Sequence, residues 1–426
     1  MTAPRRLYRN ARLLDPESGL DAPGALLVEG DRIAALGPAV GEVAAGVEIV
    51  DLAGLCLAPG LVDMRVQLRE PGAEHMESIE SGGRAAAAGG VTTMVTLPNT
   101  APPVDDVSVV EFLARRAREA KLAKIHTYGA ATKGLAGREL TEIGLLAANG
   151  VLGFTDGVKA VADALVMRRL LAYARSFDQL VIQHPEEPCL AGAGEVTEGE
   201  IATRLGLPAV TPMAEIIMVE RDLRLVEITG ARYHVAHVST AAAIDAIRRA
   251  KTMGLPVTCD TAPPYFALNE TAIGDYRTFA KLSPPLRGEA DRQAVVAAIA
   301  DGTIDVIGSG HDPRGPEDKR LPFADAAPGM AGAETLLALT LTLVRDGVIG
   351  MERAFDLVAR NPAALLGVEA GELREGAEAD IALVDPEQPW VVDSAKMAAS
   401  AGNTPFDRQP AQGRVIALWK GGVPVG

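Results

Sequence analysis

Between residues 59 and 367 short apolar runs alternate with alanine-rich stretches whose apolar positions recur every three or four residues. Runs of the first kind predict buried strands, and stretches of the second predict amphipathic helices. The strands are "LVDMRVQ" at 61, "TTMVTLP" at 92, "AKIHTYGA" at 123, "VLGFTD" at 151, "LVIQH" at 180, "YHVAHVS" at 233, "PVTCD" at 256 and "DVIGSGH" at 305. Helices such as "SVVEFLARRAREAK", "AAAIDAIRRAKTMG" and "ADRQAVVAAIADG" fall between them and end at glycine or just before the next strand. Eight such units predict an α/β fold, a (β/α)8 TIM barrel with its functional side chains at the C-terminal strand ends. The flanks have another rhythm. Residues 7 to 57 show β-rich runs broken by turn residues every 8 to 12 positions, and "ADIALVDPEQPWVV" and "GRVIALWKGGVPV" repeat that style near the C-terminus. The expected organisation is a small composite β-sandwich domain of residues 1–58 and 368–426, with the barrel at 59–367.

Composition narrows the function. The 426 residues are 48% hydrophobic, which suffices for a full core plus a satellite domain. The net charge of −15 is scattered rather than clustered, which argues against nucleic acid or an anionic membrane as partner. Cys56, Cys189 and Cys259 are far apart and form no disulfide framework. The opening "MTAPRRLYRN" lacks the apolar stretch of a signal peptide, and no window reaches the ~18 apolar residues of a membrane helix. A cytoplasmic protein is expected.

Candidate chemistry sits at the predicted strand ends. Asp156 ends strand four, His184 strand five and His237 strand six, while His311 follows strand eight. A carboxylate and imidazoles converging from separate strands make a metal site. The competing reading is that each histidine is a hydrogen-bonded core residue and that Asp156, before Gly157, is a turn former. His234 faces the other way from His237, and His126 is mid-strand, so both are read as structural; His75 is expected to face solvent. Strand one raises a separate question. Residues two apart on a strand share a face, so Arg65 and Gln67 leave it together.

The motifs "APGLVDMRVQLREPG", "GGVTTMVTLPNTAPPVDD", "GVLGFTDG", "QHPEEP", "YHVAHVSTAAAIDAIRRAK", "SPPLRGEADRQAVVAAIADGTIDVIGSGHDP" and "NTPFDRQPAQGRVIALWKGG" resemble, in this order, the dihydroorotases of the amidohydrolase superfamily. The resemblance covers nearly the whole chain. It implies a metal-dependent barrel with a flanking β-sandwich, acting in pyrimidine biosynthesis on the cyclic amide that links dihydroorotate and N-carbamoyl-aspartate. It also implies a His-x-His pair on strand one and an aspartate after strand eight, which together hold the more buried zinc and deprotonate the attacking water. Here those positions are Arg65, Gln67 and Gly310. Imidazole offers zinc a neutral lone pair at about 2.0 Å, whereas guanidinium stays protonated and has no acceptor. The second family subsite maps onto Asp156, His184 and His237, leaving room for one residual zinc or none. The family's substrate-carboxylate groups map onto Arg69, Asn99 and His311, and Ser283 replaces the asparagine usual before "PPLR".

These departures set the expectations. Arg65 is expected to replace the charge of the buried metal and to pair with Asp156. The resemblance is closest to non-catalytic dihydroorotase-like proteins, kept as structural partners of aspartate carbamoyltransferase, so a catalytically inactive homologue that assembles with that enzyme and with itself is the leading reading. A second reading is a cyclic amidohydrolase using a single metal at Asp156, His184 and His237, with Asp312 as base. A third, compatible with the first, is weak binding of carbamoyl-aspartate or dihydroorotate through Arg69 and Asn99.

Overall fold

A computed structural model describes residues 5–40 and 46–425. The two ends of the chain build one eight-stranded sheet. Arg5–Asp15, Leu20–Glu29 and Arg32–Gly37 form an antiparallel meander, and Glu48–Asp51 and Cys56–Pro59 run parallel to the first of these strands. Cys56–Pro59 then pairs antiparallel with Ile381–Val391, which continues through Pro410–Lys420 to Val423–Val425. The first strand bulges between Tyr8 and Ala11, where Asn10 takes φ 55°, a left-handed conformation that asparagine tolerates. One face buries Tyr8, Leu13, Leu26, Leu57 and Trp419, with the Tyr8 and Trp419 rings edge to face at 4.9 Å.

All eight apolar runs of the central region become barrel strands: Leu61–Val66, Val91–Thr96, Lys124–Thr127 with Gly129–Ala130, Phe154–Thr155, Val181–Gln183, Tyr233–Val235, Val257–Thr261 and Val306–Ile307. Each is parallel to its neighbour. The ring closes through a parallel bridge from Val66 to His311, with the Gln67 N–H donating to the His311 carbonyl at 2.8 Å. Strand four is only two residues long, since Gly153 precedes it at φ 153°.

The predicted helices also form. Val107–Ala120 starts on an Asp106 side-chain cap, Ala241–Thr252 on Thr240, and Glu289–Asp301 stops at Gly302 with φ 86°. Two features lie outside the periodic pattern: a short parallel ladder, Val196–Thr197 with Ala209–Val210, and the turn of helix Pro263–Ala267, which leans over the barrel mouth. No helix of the described residues is long and apolar enough to cross a membrane.

Candidate functional site

The C-terminal strand ends enclose a cavity of about 240 Å³ whose lining includes Arg65, Gln67, His237, Tyr265, Gly310 and Arg314. Strand one is buried along its whole length, and Arg65 near its end and Gln67 just beyond it both line this space, each buried. Arg65 Nη2 lies 3.3 Å from His184 Nδ1, and Nη1 has no partner. The expected pair with Asp156 is not formed. Both Asp156 oxygens are instead turned to Thr132, Oδ1 accepting from its backbone N–H at 2.9 Å and Oδ2 from its hydroxyl. The loop after strand three thus satisfies the carboxylate from the opposite side, and burial, outweighing these bonds, raises the Asp156 pKa. Burial pulls the guanidinium pKa of Arg65 down, and the charge of Asp260 opposes it most.

The two strand-end histidines differ. A guanidinium only donates, so His184 Nδ1 is an acceptor and the proton sits on Nε2, 3.0 Å from Ser283 Oγ. Burial and then the charge of Arg65 hold His184 well below the usual imidazole range. His237 takes φ 52°, and its backbone N–H donates to Asp260 Oδ1 at 2.6 Å. Neither of its ring nitrogens has a partner, although the residue is buried. Burial, followed by the charge of Arg65, pushes its pKa down to about 3. Both imidazoles are neutral near pH 7.

The groups mapped to substrate each meet another part of the protein. Arg69 donates to Asp312, Asn99 donates to Gln67 at 2.6 Å, and His311 sits between Glu77 at 3.3 Å and the amides of Gly332 and Ala333. Asp312 is not free to act as a base, because its second oxygen accepts from Arg314 at 3.0 Å. At Gly310, φ 63°, a Cβ would come within 3.1 Å of His237 Cε1. His234 is structural, as expected: buried, between Thr258 at 2.8 Å and Asp260 at 2.9 Å. His126 lies partly buried on strand three and His75 is exposed.

Sequence reasoning passed over the residues that hold these groups in place. Asp260, from "PVTCD", bridges His234 and the backbone of His237, and its pKa falls to about 2 as the histidine bond and nearby positive charge outweigh the burial that raises it. Glu215 accepts from the amides and hydroxyls of Ser239 and Thr240 and pairs with Arg287. An acidic residue at a strand end was the available signal for Asp260. None marked Glu215, which lies on a helix of weak amphipathicity.

Zinc needs lone pairs converging from three or four ligands. Among the described residues, no three His, Cys, Asp or Glu side chains are grouped in that way. Asp156 faces Thr132, the Nδ1 lone pair of His184 faces a guanidinium, and Arg65 brings a permanent positive charge to the place where a dication would sit. The donor set of Asp156, His184 and His237 does not fit a zinc ion as these residues are arranged.

The dihydro-orotase-like family model matches residues 54–243. A dihydroorotase of Pelobacter propionicus is 44% identical over 411 residues, covering 96% of this chain and 97% of that protein. A dihydroorotase of Syntrophus aciditrophicus is 43% identical over 410 residues, covering 96% of each. Among solved structures, the L-hydantoinase (dihydropyrimidinase) of Arthrobacter aurescens superposes with a TM-score of 0.89 at 24% identity, over 100% of this chain and 96% of its own. That likeness establishes the fold of a barrel with a β domain.

Proposed function

The chain belongs to the dihydroorotase family, and we propose that within pyrimidine biosynthesis it is a member without dihydroorotase turnover, retained as an assembly partner of aspartate carbamoyltransferase. One observation carries the loss of turnover: a buried guanidinium, Arg65, occupies the strand-one position from which metal ligation would come. Two others support it. Gly310 offers no base, and the adjacent carboxylate, Asp312, is held by two arginines. Loss of a general base costs ~10²- to 10⁴-fold in rate, and without a metal-activated water the nucleophile itself is missing. The retained fold and the near full-length similarity to dihydroorotases support a role that depends on shape, which the partner reading supplies.

Two measurements test the reading. Purified protein supplied with zinc should open dihydroorotate no faster than buffer and retain no zinc after dialysis; ring opening at an ordinary enzymatic pace defeats it. Co-expression with the transferase from the same source should give a co-purifying complex, with the transferase smaller or less active when this chain is left out. A transferase that reaches full size and activity alone removes the assembly role.

A further inference from the structure

The barrel mouth contains a cation that no carboxylate contacts among the described residues, the charge of Asp260 opposing it only from a distance. Arg65 is 4% exposed, forms no ion pair among the described residues, and leaves Nη1 unbonded. Both nitrogens of His237, also buried, are unbonded as well, and the two side chains line the same cavity of about 240 Å³. Buried charges are ordinarily paired, and buried donors ordinarily bonded. Water would satisfy the donors here but would leave Arg65 without a contacting anion. The charged lining is Arg65 and Arg314 against Asp312, and Asp312 is already shared with Arg69. Arg65 is therefore left without a carboxylate in contact, its charge met only by the more distant Asp260. Gly310 adds no side chain to the space beside His237.

We propose that this cavity binds a small carboxylate, one oxygen on Arg65 Nη1 and the other on a His237 ring N–H. The class follows from the donors. Nη2 is engaged with His184, so Arg65 offers one free terminal nitrogen, and a neutral imidazole offers one N–H. Two donors, one of them a cation that no carboxylate contacts, match a monoanion with two oxygens in a plane. A phosphate dianion would be left short of both charge and donors. His311 lines the same cavity, but it, Arg69 and Asn99 are engaged with partners within the protein and donate nothing to the proposed contact, which requires neither the transferase nor the absence of turnover.

The probe is sodium formate, titrated calorimetrically into the purified full chain, with sodium chloride at equal ionic strength as the reference. Wild type should give a saturable heat with formate that chloride does not reproduce. Arg65→Gln and His237→Asn should each weaken it about tenfold or more, the loss expected for a charge-assisted hydrogen bond. Asparagine is chosen at 237 because it tolerates the left-handed backbone there. Should either variant fold poorly, wild type labelled with ¹⁵N-histidine supplies a second reading, in which formate should move the ring signals of one buried imidazole. No saturable heat, equal affinity in folded variants, or an unmoved imidazole spectrum each overturns the proposal.

Discussion

At the level of single residues, the unusual event is the burial of a guanidinium without a carboxylate. Its desolvation is offset by one hydrogen bond to a neutral imidazole and by more distant charge, that of Asp260 first. Replacing unbalanced buried charge with an apolar side chain of similar length commonly stabilises a fold. Arg65→Met should therefore raise unfolding stability by about 1–2 kcal/mol in carboxylate-free buffer, read from urea denaturation. A loss of that size instead would make Arg65 a structural support. His237 permits a pH prediction. Its folded pKa, about 3, lies below the ~6.5 of an unfolded imidazole. As pH falls below ~6.5, the unfolded chain takes up a proton that the folded chain refuses until about 3. The contribution of His237 is thus fully present above ~6.5 and is lost through that window, at about 1.4 kcal/mol per pH unit. His237→Asn should flatten the slope of stability against pH by that amount between about pH 6 and about pH 5; parallel curves would mean that this imidazole titrates normally.

At the level of elements, the helix Met213–Thr229 holds the end of strand six through Glu215, whose oxygens take four donors from Ser239 and Thr240 while Arg287 neutralises it. Glu215→Ala would leave Arg287 buried and unpaired and should cost about 3–5 kcal/mol in denaturant unfolding; a cost under about 1 kcal/mol would show that the loop after strand six holds itself. Strand one invites the opposite experiment. Because Arg65 and Gln67 line one cavity, Arg65→His and Gln67→His would bring two imidazoles into it, and Gly310→Asp would add a carboxylate at a φ that aspartate tolerates. The triple variant should retain zinc through dialysis where wild type retains none, as elemental analysis would show. Failure would mean that the site has repacked beyond these three positions. Strands and helices were legible because burial imposes periods of 2 and 3.6, and Arg65 was legible as a misfit among metal ligands. Its partner was not. Strand alternation says which face a side chain leaves by, but not that Thr132, from a neighbouring loop, has already engaged Asp156, nor that Arg69 and Arg314 close on Asp312.

At the level of the whole molecule, the composite domain and the barrel share one interior. Leu14, Cys56 and Ala58 from the first half of the sheet, and Ala382, Val384 and Leu418 from the second, lie in the same buried cluster as barrel residues from Leu61 to Phe355. The backbone makes the same join. Cys56–Pro59 passes through Gly60 directly into barrel strand one; the Gly60 N–H donates to the Asp380 carbonyl at 2.9 Å, and a Cβ at Gly60 would collide with Thr92 at 2.2 Å. The sheet also buries a cluster of its own around Tyr8 and Trp419, but the shared cluster ties its other face to the barrel, so the two should unfold together. The chain provides a direct test, because both of its tryptophans, Trp390 and Trp419, lie on the C-terminal strands of the sheet, while most helices belong to the barrel. Tryptophan fluorescence then reports the β domain and far-ultraviolet circular dichroism chiefly the barrel. Their urea transitions should coincide within error, and Trp419→Ala, which empties the contact with Tyr8 at 4.9 Å, should shift both midpoints downward together, by about 3–5 kcal/mol in stability. If fluorescence is lost first while the helical signal persists, the sheet is an independently stable attachment, and the shape offered to a partner is the barrel alone.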